Sequence, residues 1–390
     1  MSVPSSPNGR PPHPSRPSPA ARRPRHVHGW LVVDKPPSVT SMEVVRQVKR
    51  AFNAKKVGHA GTLDPLATGV LPIAMGEALK TMAYVIDHRK HYTFTVRWGQ
   101  ARDTDDAQGA VVAESDHRPT NAAIQAALPA FCGQIDQRPP AYSAIKVHGK
   151  RSYDMARAGA PPDLAPRPVQ VDRFELIDMP DQDHARFFVL SHAGVYMRAL
   201  ARDLALALGT VGHVTALQRS QVGTLGLDDA VSLAHIKESQ GHFEVLDKAL
   251  MPVHAPLQGM PVVDLDHKQA HVLRSGGRVS FLRRADLERL QCLAVASSSE
   301  VLSDACAPRQ EQTRREKVQG TRQNNVQGHV QPGHAQKGHR QGSQETIQGD
   351  ILPSFEGTVL ATHRGAPLAI AHLVGGEMKA KRVFAPGITP

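Results

Sequence analysis

Apolar and polar positions change period several times along this chain, and each change marks an element. Trp30-Leu31-Val32-Val33 is a short apolar run ended by Asp34-Lys35-Pro36-Pro37, the pattern of a strand entering a turn. Thr40 and Glu43 then stand at capping-box spacing, and Val44, Val45, Val48 and Phe52 recur at helical intervals as far as Asn53. From Tyr92 to Trp98 the period shortens to two, which puts Tyr92, Phe94, Val96 and Trp98 on one face of a half-buried strand. Tyr92 opens that strand in this reading, so its ring can project past the core edge. Residues 121–132 read as a helix, Phe187 to His192 as a strand and Gly194 as a turn. Tyr196 to Leu208 read as a further helix, with Met197, Leu200, Ala201, Leu204 and Leu208 as its apolar stripe and Gly209 as its cap. Tyr196 and Arg198 fall in the first turn of that helix, where they can face a site rather than the core.

From about Met260 the pattern turns to short strands and turns, with Gly276-Gly277-Arg278, Val359 to Leu373 and Lys379 to Phe384. Between the halves of this region, residues 299–350 are rich in Gln, Gly, His and Arg, and hold too few apolar residues to offset the entropy of ordering. They are expected to be a disordered insertion in a loop. His329, His334 and His339 recur there at intervals of five, but neither cysteine nor acid completes a metal geometry, so solvated histidines are expected. His267 and His271 stand four apart, with Lys268 where a zinc-protease motif needs Glu, and no metal site is expected.

With 390 residues, 40% hydrophobic and 21% charged, most of the chain can fold, and its length allows two domains plus tails. A formal charge of +11 before counting 21 histidines favours a polyanionic partner: RNA, DNA or an anionic membrane surface. Cys132, Cys292 and Cys306 have neither CxxC spacing nor an even count, which argues against a disulfide scaffold or a zinc ribbon. That usage suits a reducing compartment, with the cytoplasm as the default. No apolar run reaches the roughly 18 residues a membrane span needs, and no apolar core follows the basic N-terminal residues, so neither a span nor a secretory signal is expected. Residues 1–25 carry Pro, Ser and Arg without an acid, and their prolines oppose an amphipathic transit helix. A disordered basic tail that adds nonspecific RNA affinity is the expectation.

Candidate chemistry concentrates in residues 58–72, Gly58-His59-Ala60-Gly61-Thr62-Leu63-Asp64-Pro65-Leu66-Ala67-Thr68-Gly69-Val70-Leu71-Pro72. The spacing of Gly58, Gly61, Pro65 and Gly69 fits neither helix nor strand, so Asp64 belongs on a turn where backbone can approach a ligand closely. Local chemistry leaves two readings of that carboxylate open, a nucleophile or a turn Asp that accepts backbone N–H bonds. The fifteen residues resemble the catalytic loop of the tRNA pseudouridine synthase B (TruB) family. Arg138-Pro139-Pro140-Ala141-Tyr142-Ser143-Ala144-Ile145-Lys146, continuing to Gly149, Arg151, Tyr153, Ala156 and Arg157, also resembles that family's pattern. The match is dense over about residues 28–230.

The resemblance implies an α+β fold: a pseudouridine synthase catalytic domain with a mixed, mostly antiparallel sheet flanked by helices, plus a small C-terminal PUA-like β-barrel. The implied domains are the tail 1–25, the catalytic domain 26–257, a PUA-like RNA-binding domain in two halves, 258–298 and 351–387, and the insertion 299–350. Asp64 corresponds to the family nucleophile, acting either at ribose C1′ or by proton abstraction on a glycal route. Arg198 corresponds to the arginine that orients this aspartate by a bidentate bond, Tyr92 to the tyrosine stacking on the target base, and Tyr196 to a second active-site tyrosine. His59 resembles the histidine packed against flipped-out bases, and Leu217 the apolar contact beneath the uracil. Lys35 and Lys80 resemble a supporting basic set for loop or RNA phosphates. No cofactor and no metal are implied. The implied partner is tRNA, through its T stem-loop and the uridine at position 55, with no membrane, no obligatory protein partner, and a monomer as the default.

Two rival readings accompany this one. A noncatalytic RNA-binding protein or tRNA-folding chaperone could keep the fold and its basic surface, but would have no need of an aspartate facing phosphates. A guide-RNA-dependent synthase would need protein partners, and the chain lacks the long lysine-rich tails expected of the eukaryotic type.

Overall fold

The computed structural model describes residues 23–147, 149–281 and 356–385. The chain divides into two compact units, of which Pro261–Val383 is the second, while Phe384 and Ala385 belong with the first. The expected insertion 299–350 lies outside the described residues, as do His329, His334 and His339, Cys292 and Cys306, and all but the last three residues of the expected tail 1–25. Those three end in an anchored side chain. Arg25 pairs with Asp247 at 2.5 Å, lies 4.2 Å from the Phe243 ring centre, and donates its backbone N–H to Asn53. Among the described residues no helix is long and apolar enough to cross a membrane.

The first unit is built on a mixed sheet. Its strands run in the order Ala230–Ser232, Gly29–Lys35, Thr68–Met75, Gly212–Val222, Lys90–Trp98, His184–Ser191, Arg167–Asp181 and Gly133–Gln137. Pairings are antiparallel except for Gly29–Lys35 with Ala230–Ser232 and Thr68–Met75 with Gly212–Val222. Gly29–Lys35 and Thr68–Met75 are buried almost throughout, as strands covered on both faces must be, and this accounts for their unbroken apolar runs. Lys90–Trp98 follows the period-two expectation, with Tyr92, Phe94, Val96 and Trp98 all buried. It begins two residues earlier than expected, because Lys90 and His91 still pair with Ser191 and Leu190. Tyr92 is therefore the third residue of the strand, only 8% exposed and part of the apolar core.

Two helices position the site. Ser41–Ala51 buries Val44, Val45 and Val48 and starts at Thr40, whose hydroxyl accepts the Glu43 N–H at 3.1 Å. The other half of the expected capping box is turned elsewhere: the Glu43 carboxylate takes Arg46 and Gln47 instead. Met197–Ala207 packs on strand Gly212–Val222 through Leu200, Ala201 and Leu204, each fully buried. Each such leucine is worth roughly 1.5–3 kcal/mol of burial. The helix expected over 121–132 ends as an α-helix at Ala127 and continues as a 3-10 turn, Leu128–Phe131. Pro129 has no N–H for the α-helical bond and crowds the preceding turn.

The second unit is a curled five-stranded sheet in the order Val262–Asp264, Gly357–His363, Ala366–Val374, Glu377–Val383 and Arg278–Ser280, consistent with a PUA-like domain. Helix His267–Arg274 covers it, and Leu265, Leu273, Val359, Leu368 and Met378 fill its core.

Candidate active site

The loop that carries Asp64 joins the short strand Val57–His59 to Thr68–Met75, which pair antiparallel. Both flanks of Asp64 are held by their backbone. The Ser41 hydroxyl accepts the Leu63 N–H and donates to the Leu63 C=O, at 2.9 Å each. On the other flank, the Pro65 carbonyl accepts the Ser38 N–H at 2.8 Å and the Lys35 ammonium at 3.2 Å. The Ala67 N–H closes onto the Asp64 carbonyl at 3.1 Å. Gly69 has φ +94°, and a Cβ there would stand 2.3 Å from the Arg219 carbonyl oxygen, so only glycine fits.

Arg198 reaches Asp64 across 134 residues of sequence and binds both oxygens, Nε to Oδ2 at 2.9 Å and Nη2 to Oδ1 at 3.1 Å. This is the charge-assisted fork that fixes a carboxylate's plane as well as its position. The Arg198 side chain is 4% exposed and that of Asp64 30%, so the cation is buried behind a carboxylate that remains reachable. Nη1 donates to the Thr104 carbonyl at 2.7 Å and Nη2 also to the Tyr142 carbonyl at 2.9 Å, while the Asp106 carboxylate stands 3.6 Å from Nη1. Asp106 is itself fixed by the Thr104 hydroxyl at 2.7 Å and the Gln108 N–H at 3.0 Å. One turn along the helix, Arg202 pairs with Asp105 at 2.9 Å. Burial, only partly opposed by Arg202 and Arg198, pushes the Asp105 carboxyl up to about 6.

Residues 49–197 match the model of the TruB family pseudouridylate synthase N-terminal domain, and residues 198–258 that of the tRNA pseudouridylate synthase B C-terminal domain. The chain belongs to the TruB family of pseudouridylate synthases. Relatives in that isomerase family include the tRNA pseudouridine synthase B of Gluconacetobacter diazotrophicus, 56% identical over 67% of this chain and 85% of its own length. The tRNA pseudouridine synthase B of Nitrobacter winogradskyi is 39% identical over 92% of this chain and 83% of its own. Among solved structures, a chain of the Cbf5-Nop10-Gar1 complex superposes with a TM-score of 0.50 at 26% identity, covering 64% of this chain and 68% of that one. A chain of an H/ACA RNP bound to a substrate RNA containing 2′-deoxyuridine shares the fold, with a TM-score of 0.57 at 18% identity over 92% of this chain and 86% of that one.

The other expected site residues of this TruB family member are placed unequally. Tyr196 is the residue before the Arg198 helix, and Gln137 grips its backbone on both sides, accepting the Tyr196 N–H at 2.8 Å and donating to its carbonyl at 3.1 Å. The Arg167 guanidinium lies 5.3 Å from the Tyr196 ring centre. Tyr92 and Leu217 are both buried on neighbouring strands, Tyr92 opposite Arg219 and Leu217 opposite Phe94. His59 ends the strand that enters the loop. Burial, then the positive charge of Arg219, lowers its pKa, so the imidazole is mostly neutral at pH 7, and its Nδ1 is buried without a hydrogen-bond partner. A neutral imidazole offers a flat ring rather than a charge.

The two lysines, expected as a supporting set for the loop or for RNA phosphates, are placed differently. Lys35 has no solvent exposure, and its ammonium donates to the carbonyls of Pro36, Val39 and Pro65 at 2.9, 2.7 and 3.2 Å. It is a brace for the Asp64 loop, tying the Pro65 carbonyl to those of Pro36 and Val39. Burial lowers its pKa to about 8, against the pull of Asp64 and with a smaller push from Arg219. Lys80 ends the 3-10 turn Gly76–Lys80 and pairs with Glu77 at 2.6 Å, half-exposed. Sequence reasoning assigned no role to Gln137, Ser41, Asp106 or Arg219. The clustering of Asp103, Asp105 and Asp106 was the one visible signal, and nothing in it named Arg198 as the partner.

Proposed function

We propose that this protein converts the T-loop uridine at position 55 of tRNA to pseudouridine, with Asp64 as the reacting carboxylate. Family membership supports tRNA uridine isomerisation as the reaction. The observation that carries the role of Asp64 is its bidentate pairing with a buried Arg198 while its own side chain stays 30% exposed. An exposed aspartate does not by itself call for a guanidinium 4% exposed held behind it by two further carbonyls.

The isomerisation breaks the bond between ribose C1′ and uracil N1, rotates the base, and joins C1′ to C5. The C5 proton is lost and N1 gains one, so the reaction is redox-neutral. The uridine must first leave its stack, at a cost of a few kcal/mol that contacts in the pocket offset. In this proposal His59 packs in its flat neutral form against the flipped-out bases, Tyr92 stacks on the uracil, and Leu217 closes the floor beneath it. Asp64 then attacks C1′ or abstracts a proton on a glycal route, and Arg198 keeps the carboxylate plane fixed through either. Tyr196 lines the site from the N-terminus of the Arg198 helix.

The test incubates full-length protein with unmodified tRNA transcript and maps pseudouridine by carbodiimide-blocked primer extension, beside Asp64→Asn. Wild type should convert the T-loop uridine and Asp64→Asn should not, with a loss exceeding about 10³-fold, the scale on which removing a covalent catalyst acts. Tight tRNA binding by wild type without conversion would instead leave a noncatalytic RNA-binding protein or tRNA-folding chaperone.

A further inference from the structure

We propose that Arg219 is a positioning residue of this synthase, a clasp whose guanidinium ties the two ends of the Asp64 loop together and so sets where the carboxylate stands. The inference rests on the role proposed for Asp64. Arg219 lies in strand Gly212–Val222 and is 1% exposed. Its Nε donates to the Val70 carbonyl at 2.8 Å and its Nη2 to the Gly61 carbonyl at 3.1 Å. Gly61 precedes Asp64 and Val70 follows it, so one rigid planar group spans the stem of the loop.

Burying a guanidinium with carbonyls alone to replace its water is costly, and among the described residues no ion pair forms at Arg219. An apolar side chain would fill the same strand position without that cost. Two glycines make room for the arrangement. Gly69, opposite Arg219 in register, leaves space for the Arg219 backbone, and Gly61, at φ +90°, would bring a Cβ to 3.4 Å from Nη1. The clasp complements Lys35, which holds the Pro65 carbonyl between those two ends. Its charge also acts on the site, as one of the influences that lower the pKa of both His59 and Lys35.

The test uses full-length wild type, Arg219→Lys and Arg219→Met. A lysine keeps hydrogen-bonding capacity but cannot present two fixed donors to two carbonyls. Per folded molecule, kcat should fall about 10²-fold in both variants, the cost of a displacement near 1 Å, with KM changed by less than about threefold. Amide hydrogen exchange at Leu63 and Ala67 should quicken in both, and NMR titration should show the His59 pKa rising in Arg219→Met. If Arg219→Met does not fold, Arg219→Lys carries the kcat and exchange tests. A kcat in Arg219→Lys within about twofold of wild type, or unchanged exchange at Leu63 and Ala67, overturns the clasp. Should wild type make no pseudouridine, the proposed function fails, while exchange and the His59 titration still decide the clasp.

Discussion

Lys35 donates to three carbonyls from a position without solvent exposure, and its ammonium feels the Asp64 charge. With its pKa lowered from 10.5 to about 8, it is mostly protonated at pH 7 and loses its proton just above. Activity should therefore fall with an apparent pKa of about 8, as the brace on Pro65 weakens and the positive charge near Asp64 disappears. Stability responds in the opposite sense. Between about 8 and 10.5 the unfolded chain binds more protons at this site than the folded one, so the contribution of Lys35 to stability rises with pH across that window. Rate profiles and melting temperatures measured together from about pH 7 to 9.5 should show kcat declining without unfolding, and Lys35→Met should lack the alkaline limb. A parallel decline of both quantities would mean that the limb reports denaturation.

At the scale of elements, the Arg198 helix depends on a strand far from it in sequence. Gln137 ends strand Gly133–Gln137 and completes both hydrogen bonds of the Tyr196 backbone from a side chain 1% exposed. Gln137→Leu should cost about 1–3 kcal/mol in chemical denaturation, because it leaves the part-buried Tyr196 N–H unpaired while the Tyr196 carbonyl keeps only the Leu200 N–H, and should lower kcat by tilting the helix start that carries Arg198. Unchanged kcat with lowered stability would show that the helix start is held by other means. The helix itself was readable from its 3.6-residue stripe, and the strands Gly29–Lys35 and Lys90–Trp98 from their periods, because burial of one face or two imprints a local pattern. The pairing of Asp64 with Arg198 is legible only through the resemblance to a family's pattern, since no local rule joins positions 134 apart. Gln137 and Arg219 escaped notice for the same reason. Each grips backbone atoms of a distant segment, and a contact with a main-chain carbonyl leaves no trace in the composition of either partner. The burial of Lys35 has no local signal either, because its neighbours Asp34, Pro36 and Pro37 read as an exposed turn, whereas its ammonium reaches the Pro65 carbonyl 30 residues on.

For the molecule as a whole, the +11 charge calls for a steep fall of tRNA affinity with salt. Deleting residues 1–22 should shallow that slope in filter-binding assays without changing which uridine is modified, and a changed site would assign the segment a role in recognition. The deletion should stop short of Arg25, whose pairing with Asp247 and Phe243 makes it part of the first unit. The parallel pairing of Thr68 and Gly69 with Gln218 and Arg219 closes the sheet between segments about 150 residues apart, beside the Asp64 loop. A nascent chain leaving the ribosome exposes Asp64 long before it has either the arginine that binds the carboxylate or the strand that clasps the loop. The enzyme is thus born without its site, and the centre that would act on tRNA assembles only once translation has passed Arg219.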